Sequence, residues 1–321
     1  MGVIGNGSSA STAPKWAATE SIPHSMAKRT ASDALPTRDP RLTIGMPLYN
    51  NGRTISRALD SLLAQSFGNF RLVISDDGST DSTCDICDTY AARDSRVTVF
   101  RQPVNLNYGN FRYVLEQAET PLFMFAAGDD YWHVDYVARM IDMLDRRALA
   151  VCAVSQVEFV KDGIVVARAR GTRPLEGDIP TNVARFLAAG DDNSRMYGVF
   201  RTPAAQRAFP RRDFFGYDWA FTVGTLLEGT HVEVPEVLMW RDYTEPARYI
   251  HHVQRDAGRA LGRLFPMLSL TADMLFRLRI PVTYAVARQL LRLNLTFSKQ
   301  YLRAFHPSIA KLLGESPQRP E

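Results

Sequence analysis

Two acidic clusters close apolar runs in the first half of the chain. Asp76-Asp77-Gly78-Ser79-Thr80-Asp81 follows Phe70 to Ser75, and Gly128-Asp129-Asp130 follows Leu122 to Ala126. A turn at Gly78 and a helix cap from Ser79 or Thr80 account for the second half of the first cluster. They do not account for Asp76 and Asp77, adjacent carboxylates that repel each other without a partner. A carboxylate at that point can accept the N3–H of a uracil ring. Asp129 and Asp130 suit a hard divalent cation, Mg2+ or Mn2+, which takes oxygen ligands and keeps positions open for phosphate. The competing reading is an Asp cap of the helix after Tyr131. A third polar run, Pro47-Leu48-Tyr49-Asn50-Asn51, ends the apolar stretch Leu42 to Met46.

The elements carrying these clusters bring them together. Strand patterns over Leu42–Met46, Phe70–Ser75, Val97–Phe100 and Leu122–Ala126 alternate with helical patterns. The helices cover Ile55, Leu59, Leu62 and Leu63, then Asp81–Arg93, Phe111–Ala118 and Val134–Leu144. Four alternations in about 105 residues mean βαβ units and a mostly parallel sheet. Such sheets bind ligands beyond the carboxyl ends of their strands, so the three polar ends are expected to converge on one cleft. Past Leu149 the alternation breaks. Strands are predicted over Val151–Val157, Ile164–Arg168 and Val232–Trp240, and helices over Val183–Ala188 and Trp219–Leu227. From Tyr249 the pattern is helical, interrupted by Pro266 and Pro281.

The chain has 321 residues, 45% of them hydrophobic, enough for a sizeable core. No run of 18 uncharged apolar residues occurs, so no membrane-spanning helix is expected. Residues 1–38 are rich in Ser, Ala, Thr and Pro without a hydrophobic period and are expected to be a disordered leader. They contain no signal-peptide core. From Arg248 onward the sequence holds 12 Lys or Arg against 4 Asp or Glu, whereas the residues before it carry an acidic excess. Cys84 and Cys87 form a CxxC, but no second pair with ligand spacing accompanies it. The three cysteines are read as reduced and structural, in a cytoplasmic protein.

Over roughly 100 residues the order and spacing of these pieces resemble family 2 glycosyltransferases of the GT-A fold. The resemblance is carried by Met46-Pro47-Leu48-Tyr49-Asn50, Ser75-Asp76-Asp77-Gly78-Ser79-Thr80-Asp81, Asn105-Leu106 with Asn110-Phe111, and Ala127-Gly128-Asp129-Asp130-Tyr131-Trp132. It implies a Rossmann-like mixed α/β sheet flanked by helices, with a C-terminal helical extension. The implied organisation is a leader at 1–38, a GT-A domain at 39–245 (donor half 41–148, acceptor half 149–245) and a basic helical region at 246–321. It implies that Pro47 and Tyr49 line a nucleoside pocket and that Asp76 holds the base. Asp77, Arg112 and Asp130 join the donor contacts, and Asp129 binds the Mg2+ or Mn2+ that bridges the donor diphosphate. Two positions depart from the family pattern: Ala127 replaces the first Asp of Asp-x-Asp, and Asn107 stands where a Gly is usual.

In the second half, Phe214-Phe215-Gly216-Tyr217-Asp218-Trp219 resembles the segment that supplies the family's catalytic base. Asp218 is the candidate, against a helix-cap reading and against Asp213. Trp240-Arg241-Asp242-Tyr243 resembles a late segment near the diphosphate, where Arg241 neutralises charge. Tyr197 to Arg201 is expected on the acceptor side, Asp191-Asp192 in a solvated loop, and His251-His252 as weaker metal candidates. The Gln-x-x-Arg-Trp signature of processive synthases is absent. The expected activity is inverting, non-processive transfer from a nucleotide-sugar, UDP-linked by the base argument. The acceptor would be a glycan or lipid-linked hydroxyl in bacterial polysaccharide or glycolipid assembly. The basic C-terminal helices are expected to contact the inner face of the cytoplasmic membrane peripherally. A non-catalytic nucleotide-sugar-binding protein is the alternative, favoured by Ala127 and opposed by Asp129 and Asp218. A dinucleotide oxidoreductase needs a Gly-rich turn after the first strand, which is missing, and no nucleic-acid-binding motif is present.

Overall fold

A computed structural model describes residues 39–189, 192–243, 262 and 264–305. The leader, Asp191 and His251-His252 lie outside these residues. The chain opens as its periodicity requires. Strand β1 (Leu42–Leu48) is followed by helix α1 (Ile55–Leu63), β2 (Phe70–Asp76), α2 (Thr83–Ala91), β3 (Val97–Arg101), α3 (Gly109–Glu116) and β4 (Leu122–Phe125). Then come β5 (Tyr131–Trp132), α4 (Tyr136–Arg146), β6 (Ala150–Lys161), β7 (Ile164–Arg168) and α5 (Ile179–Ala189). A 3-10 turn (Ser194–Tyr197), β8 (Val199–Arg201), α6 (Thr202–Ala208), α7 (Tyr217–Glu228) and β9 (Thr230–Asp242) complete the sheet body. Helix α8 (Leu268–Ala272), a π-helical turn (Asp273–Arg277) and α9 (Tyr284–Phe305) follow. The helical pattern is interrupted at Ile280–Thr283, around Pro281, which cannot donate to a helical ladder.

The sheet runs β3-β2-β1-β4-β8-β6-β9-β5, with β7 paired to β6 outside that path. Strands β3, β2, β1 and β4 are mutually parallel, so their carboxyl ends share one edge. Strand β8 is antiparallel to β4 and β6, and β9 is parallel to β6 but shifts register three times. The observed fold is therefore the mixed GT-A-type α/β sheet, half parallel and half mixed. Two strands escaped the sequence reading: β5 and β8 are two and three residues long, too short for alternation to register.

Apolar faces of α1 and α4 cover one side of the sheet with β1, β2 and β4 side chains. On the other side α3, α6 and α7 bury Val114, Phe209 and Phe221 against Phe123, Phe125 and Phe200. A third cluster joins α5 and α7 to α8 and α9 through Phe186, Trp219, Val223, Leu270, Val286 and Leu290. Helix α8 is thus docked on α7, whose second residue is Asp218, and α9 on α5.

One buried group ties core stability to pH. His231 on β9 is fully buried, edge-on to Phe200. Burial first, and the charge of Arg195 second, push its pKa well below 6.5. The unfolded chain therefore takes up a proton below that value and the folded chain does not, so stability falls as the solution is acidified. Replacing His231 with Leu removes this linkage. Between pH 6.5 and about 4.5 the wild-type chain is expected to lose about 2 kcal/mol more than His231→Leu, read from urea unfolding at each pH.

Candidate functional site

The cleft is built by loops that lock one another. After β1 the chain turns at Asn50, whose φ of 54° is in the left-handed region. Its amide donates to Ser79 Oγ (2.8 Å), and its side-chain oxygen accepts from the Thr80 amide (2.8 Å). The Asn51 amide donates to Thr83 Oγ1 and the Gly52 amide to Asp81 Oδ2. Ser79, Asp81 and Thr83 are therefore spent on joining the β1 and β2 ends. This differs from the expected cap: the α2 N-cap is Ser82, and it makes no side-chain cap bond. The β4 end closes against the same loop. A Cβ on Gly128 would lie 2.6 Å from Leu48 Cδ2 and 2.8 Å from Asn51 Cγ, so only Gly lets the two strand ends meet. Arg57, on α1, donates to the Asp129 carbonyl (2.8 Å) and sits over the Tyr131 ring.

The first acidic pair divides its labour. Asp76 is buried; Oδ2 accepts from the Ser79 amide (3.0 Å), while Oδ1 has no hydrogen-bond partner among the described residues. Asp77 is also buried, but both its oxygens are used, accepting the Leu106 amide at 2.6 Å and the Asn107 amide at 2.8 Å. Asp77 thus anchors the loop between β3 and α3, a bond set within the protein where the sequence reading had a donor contact. That loop needs a left-handed residue at Asn107 (φ 52°). Asn is the residue other than Gly that tolerates this conformation best, which accounts for the departure there. Pro47 is half-buried and Tyr49 exposed at the β1 end.

The second acidic pair is divided too. Asp130 is fully buried, 2% exposed; Oδ2 accepts from Arg241 Nε (3.3 Å) and Oδ1 from the Asp242 amide (3.2 Å). These bonds hold β9 against the segment that follows β4. Burial pushes the Asp130 carboxyl up, and Arg241 opposes this. The half-buried Asp129 carboxyl is raised by the same desolvation and lowered by Arg241, then by its own amide and Arg57. Among the described residues no three His, Cys, Asp or Glu side chains are grouped to hold an ion by themselves. Asp129 alone fits a cation that arrives with phosphates and takes one protein oxygen, the usual mode for Mg2+.

Arg241 is the centre of the arrangement. Besides Asp130 it donates through Nη1 to Ser194 Oγ (3.1 Å), lies 3.8 Å from Asp192 Oδ1 and stacks over Tyr197. Ser194 in turn donates to Asp192 Oδ1 (2.6 Å). Asp192, read as solvated, is instead buried, because the 3-10 turn folds it beneath Arg241. The next residue reaches the candidate base: Asn193 Nδ2 donates to Asp218 Oδ2 (3.1 Å), and Asn193 Oδ1 accepts from Thr222 (3.1 Å). Asp218 occupies the second position of α7, after the left-handed N-cap Gly216 (φ 88°). It is half-buried between two buried neighbours, Tyr217 packed on Tyr108 and Trp219 on Phe186. Burial raises the Asp218 pKa, opposed by Asn193 first and more weakly by Arg241. A half-exposed carboxylate with one oxygen held and a raised pKa has the form of a general base.

Two expected residues lie off this centre. Arg112 on α3 is ion-paired with Asp213 and donates to the Pro210 carbonyl, so the two clamp α3 to the loop before α7. Arg57, Asn193, Ser194 and Thr222 were not singled out from the sequence. Their partners, Asp129, Asp218, Arg241 and Asn193 in turn, are 25 to 72 residues away, and no local pattern marks such pairs.

A glycosyl transferase family 2 model matches residues 43–206, a little over half of the chain. An uncharacterized glycosyltransferase of Haemophilus influenzae is 31% identical over 106 residues, 33% of this chain and 42% of that protein. The putative glycosyltransferase EpsE of Bacillus subtilis is 28% identical over 141 residues, 43% of this chain and 51% of that one. The matched stretch spans about half, or less, of the curated relatives' length. Residues 1–349 of TarS from S. aureus, solved in complex with UDP, superpose with a TM-score of 0.53 at 18% identity. The match covers 85% of this chain and 83% of that one, a likeness of fold.

Removing one partner of a buried ion pair leaves an uncompensated charge. Arg241→Met is expected to cost about 3–5 kcal/mol in chemical denaturation. The double variant Asp130→Asn/Arg241→Met is expected to cost less than the two single losses together, because the stranded carboxylate is removed as well.

Proposed function

The chain belongs to glycosyl transferase family 2, and from that premise we propose that it transfers a sugar from a nucleotide-sugar, UDP-linked in this reading, to an acceptor hydroxyl with inversion at C1. One observation carries the reading. Arg241 bonds Asp130, the neighbour of Asp129 past a parallel strand, and Ser194, the neighbour of the Asn193 that holds Asp218 in the first turn of α7. A donor-side carboxylate and an acceptor-side base around one cation fit a single displacement. The unpartnered Asp76 Oδ1 beside the β1 end supports recognition of a base N–H, with Pro47 and Tyr49 at the mouth.

The chemistry follows from these groups. A Mg2+ or Mn2+ held by Asp129 and the donor phosphates would neutralise charge on the leaving nucleoside diphosphate. Arg241 adds positive potential nearby and, through Asp130, keeps the β4 end in place. The acceptor oxygen attacks C1 from the face opposite the diphosphate as the C1–O bond to phosphate breaks. Asp218 takes the hydroxyl proton on the oxygen that Asn193 does not hold. The products are a glycoside and a nucleoside diphosphate, and no covalent intermediate is needed. Ala127 removes one carboxylate from the family pattern, which leaves Asp129 as the donor-side ligand. Bacterial polysaccharide or glycolipid assembly is the setting in which such an acceptor hydroxyl is found.

A donor screen tests the reading directly. Release of nucleoside diphosphate is measured with UDP-, GDP- and dTDP-sugars in the presence of Mn2+ or Mg2+. Asp129→Ala is expected to abolish release while the fold persists by circular dichroism, and full activity in excess chelator would refute the metal role. Asp218→Asn keeps size and removes charge. It is expected to lower turnover by about 10²-fold or more with donor affinity little changed. Loss of donor affinity with turnover retained would make Asp218 a donor contact.

A further inference from the structure

Helix α9 has two faces of different character. One carries Val286, Leu290, Leu293 and Tyr301 into the molecule. Arg292 reinforces that docking by donating to the Leu187 and Ala188 carbonyls at the end of α5. The opposite face is apolar where a surface helix is normally polar. Tyr284 is 84% exposed, Leu291 62% and Leu295 47%, and at helical spacing these three fall on one stripe. Before the helix, Phe276 is 78% exposed and Val282 54%. Exposed Arg279 precedes this stripe, and exposed Arg288 and Lys299 lie along its edge. Between Asp273 and Glu315 the sequence holds no acidic residue.

We propose that this face docks on an anionic lipid bilayer, with Phe276, Tyr284, Leu291 and Leu295 in the interface and Arg279, Arg288 and Lys299 against the headgroups. The combination of an apolar stripe and a basic edge without acidic residues is that of a helix lying in the membrane plane. Among the described residues no helix is long and apolar enough to cross a membrane. Charge decides between a bilayer and a second copy of the chain. A two-fold pairing through this face would bring the two basic edges together and repel, whereas a bilayer rich in anionic lipid attracts both. Docking would also orient the site: α9 packs on α5, and α8 packs on α7, whose first turn carries Asp218. Resting on the transferase reading, this turns the base side of the cleft toward lipid-carried acceptors.

The test needs neither donor nor turnover, so its outcome is separate from that of the transferase reading. The full chain is sedimented with phosphatidylglycerol vesicles, with phosphatidylcholine vesicles and without vesicles. Binding to the anionic vesicles alone is expected at low salt. It should be reversed near 0.5 M salt, where screening reaches only about 4 Å. Arg279→Glu/Arg288→Glu is expected to lower partitioning about 10-fold or more. Tyr284→Ser/Leu291→Ser/Leu295→Ser is expected to reduce it comparably, and unchanged thermal melting shows that both variants remain folded. Equal recovery in the supernatant under all three conditions overturns the proposal. So does partitioning that neither variant alters. A dimer that Leu291→Ser/Leu295→Ser dissolves, with no vesicle binding, would assign the face to a second copy instead.

Discussion

Arg241 sits where an isolated charge would be costly, and the surrounding structure is arranged to satisfy it. Its partners come from two parts of the chain: Asp130 past the end of β4, and Asp192 and Ser194 before and in the 3-10 turn, meet β9 at one point. Taking a guanidinium and a carboxylate out of water costs several kcal/mol each, which their attraction offsets only if geometry and further hydrogen bonds are good. Here the Asp242 amide completes Asp130, and the Ser194 amide and hydroxyl complete Asp192. The same pairing joins the end of the parallel half of the sheet, where Asp129 lies, to β9 in the mixed half.

Hydrogen bonds from backbone amides do comparable work on the donor side. The loops after β1 and β3 contribute amides to Ser79, Asp81, Thr83 and Asp77, which follow β2. An unpaired buried carboxylate is expensive, and the two amides that Asp77 accepts satisfy it while holding the loop between β3 and α3. Asp76 keeps one oxygen unpartnered in the same setting, and that contrast separates two residues that look alike in the sequence. Pre-positioned loops lower the ordering cost on binding a nucleotide.

On the acceptor side the scaffold is apolar. Tyr217 and Trp219 are packed on either side of Asp218, and α5 and α8 back the helix. A carboxylate whose neighbours are locked by packing stays aligned without a dedicated ion pair, and Asn193 needs only to orient one oxygen of Asp218. The π-helical turn and Pro281 let the C-terminal segment reverse and lay α9 across α5. This leaves the Tyr284–Leu295 stripe facing outward.

Local pattern alone carried the parallel half of the fold. Short apolar runs located β1 to β4 and period-3.6 spacing α1 to α4, because β1, β2 and β4 are buried on both faces and each helix buries one. The polar strand ends followed from the parallel order, and the resemblance to family 2 rested on those same ends. Spacing could not assign roles within them. Asp76 and Asp77, or Asp129 and Asp130, are equivalent as neighbours in sequence and become different only when burial and partners are assigned, which depends on Leu106, Asn107 and Arg241. Asp192 looked solvated because a polar loop reads as surface until the 3-10 turn folds it under β9. The placement of Arg57, Asn193 and Thr222 belonged to tertiary structure for the same reason: a hydrogen bond between residues 25 to 72 positions apart leaves no periodic trace.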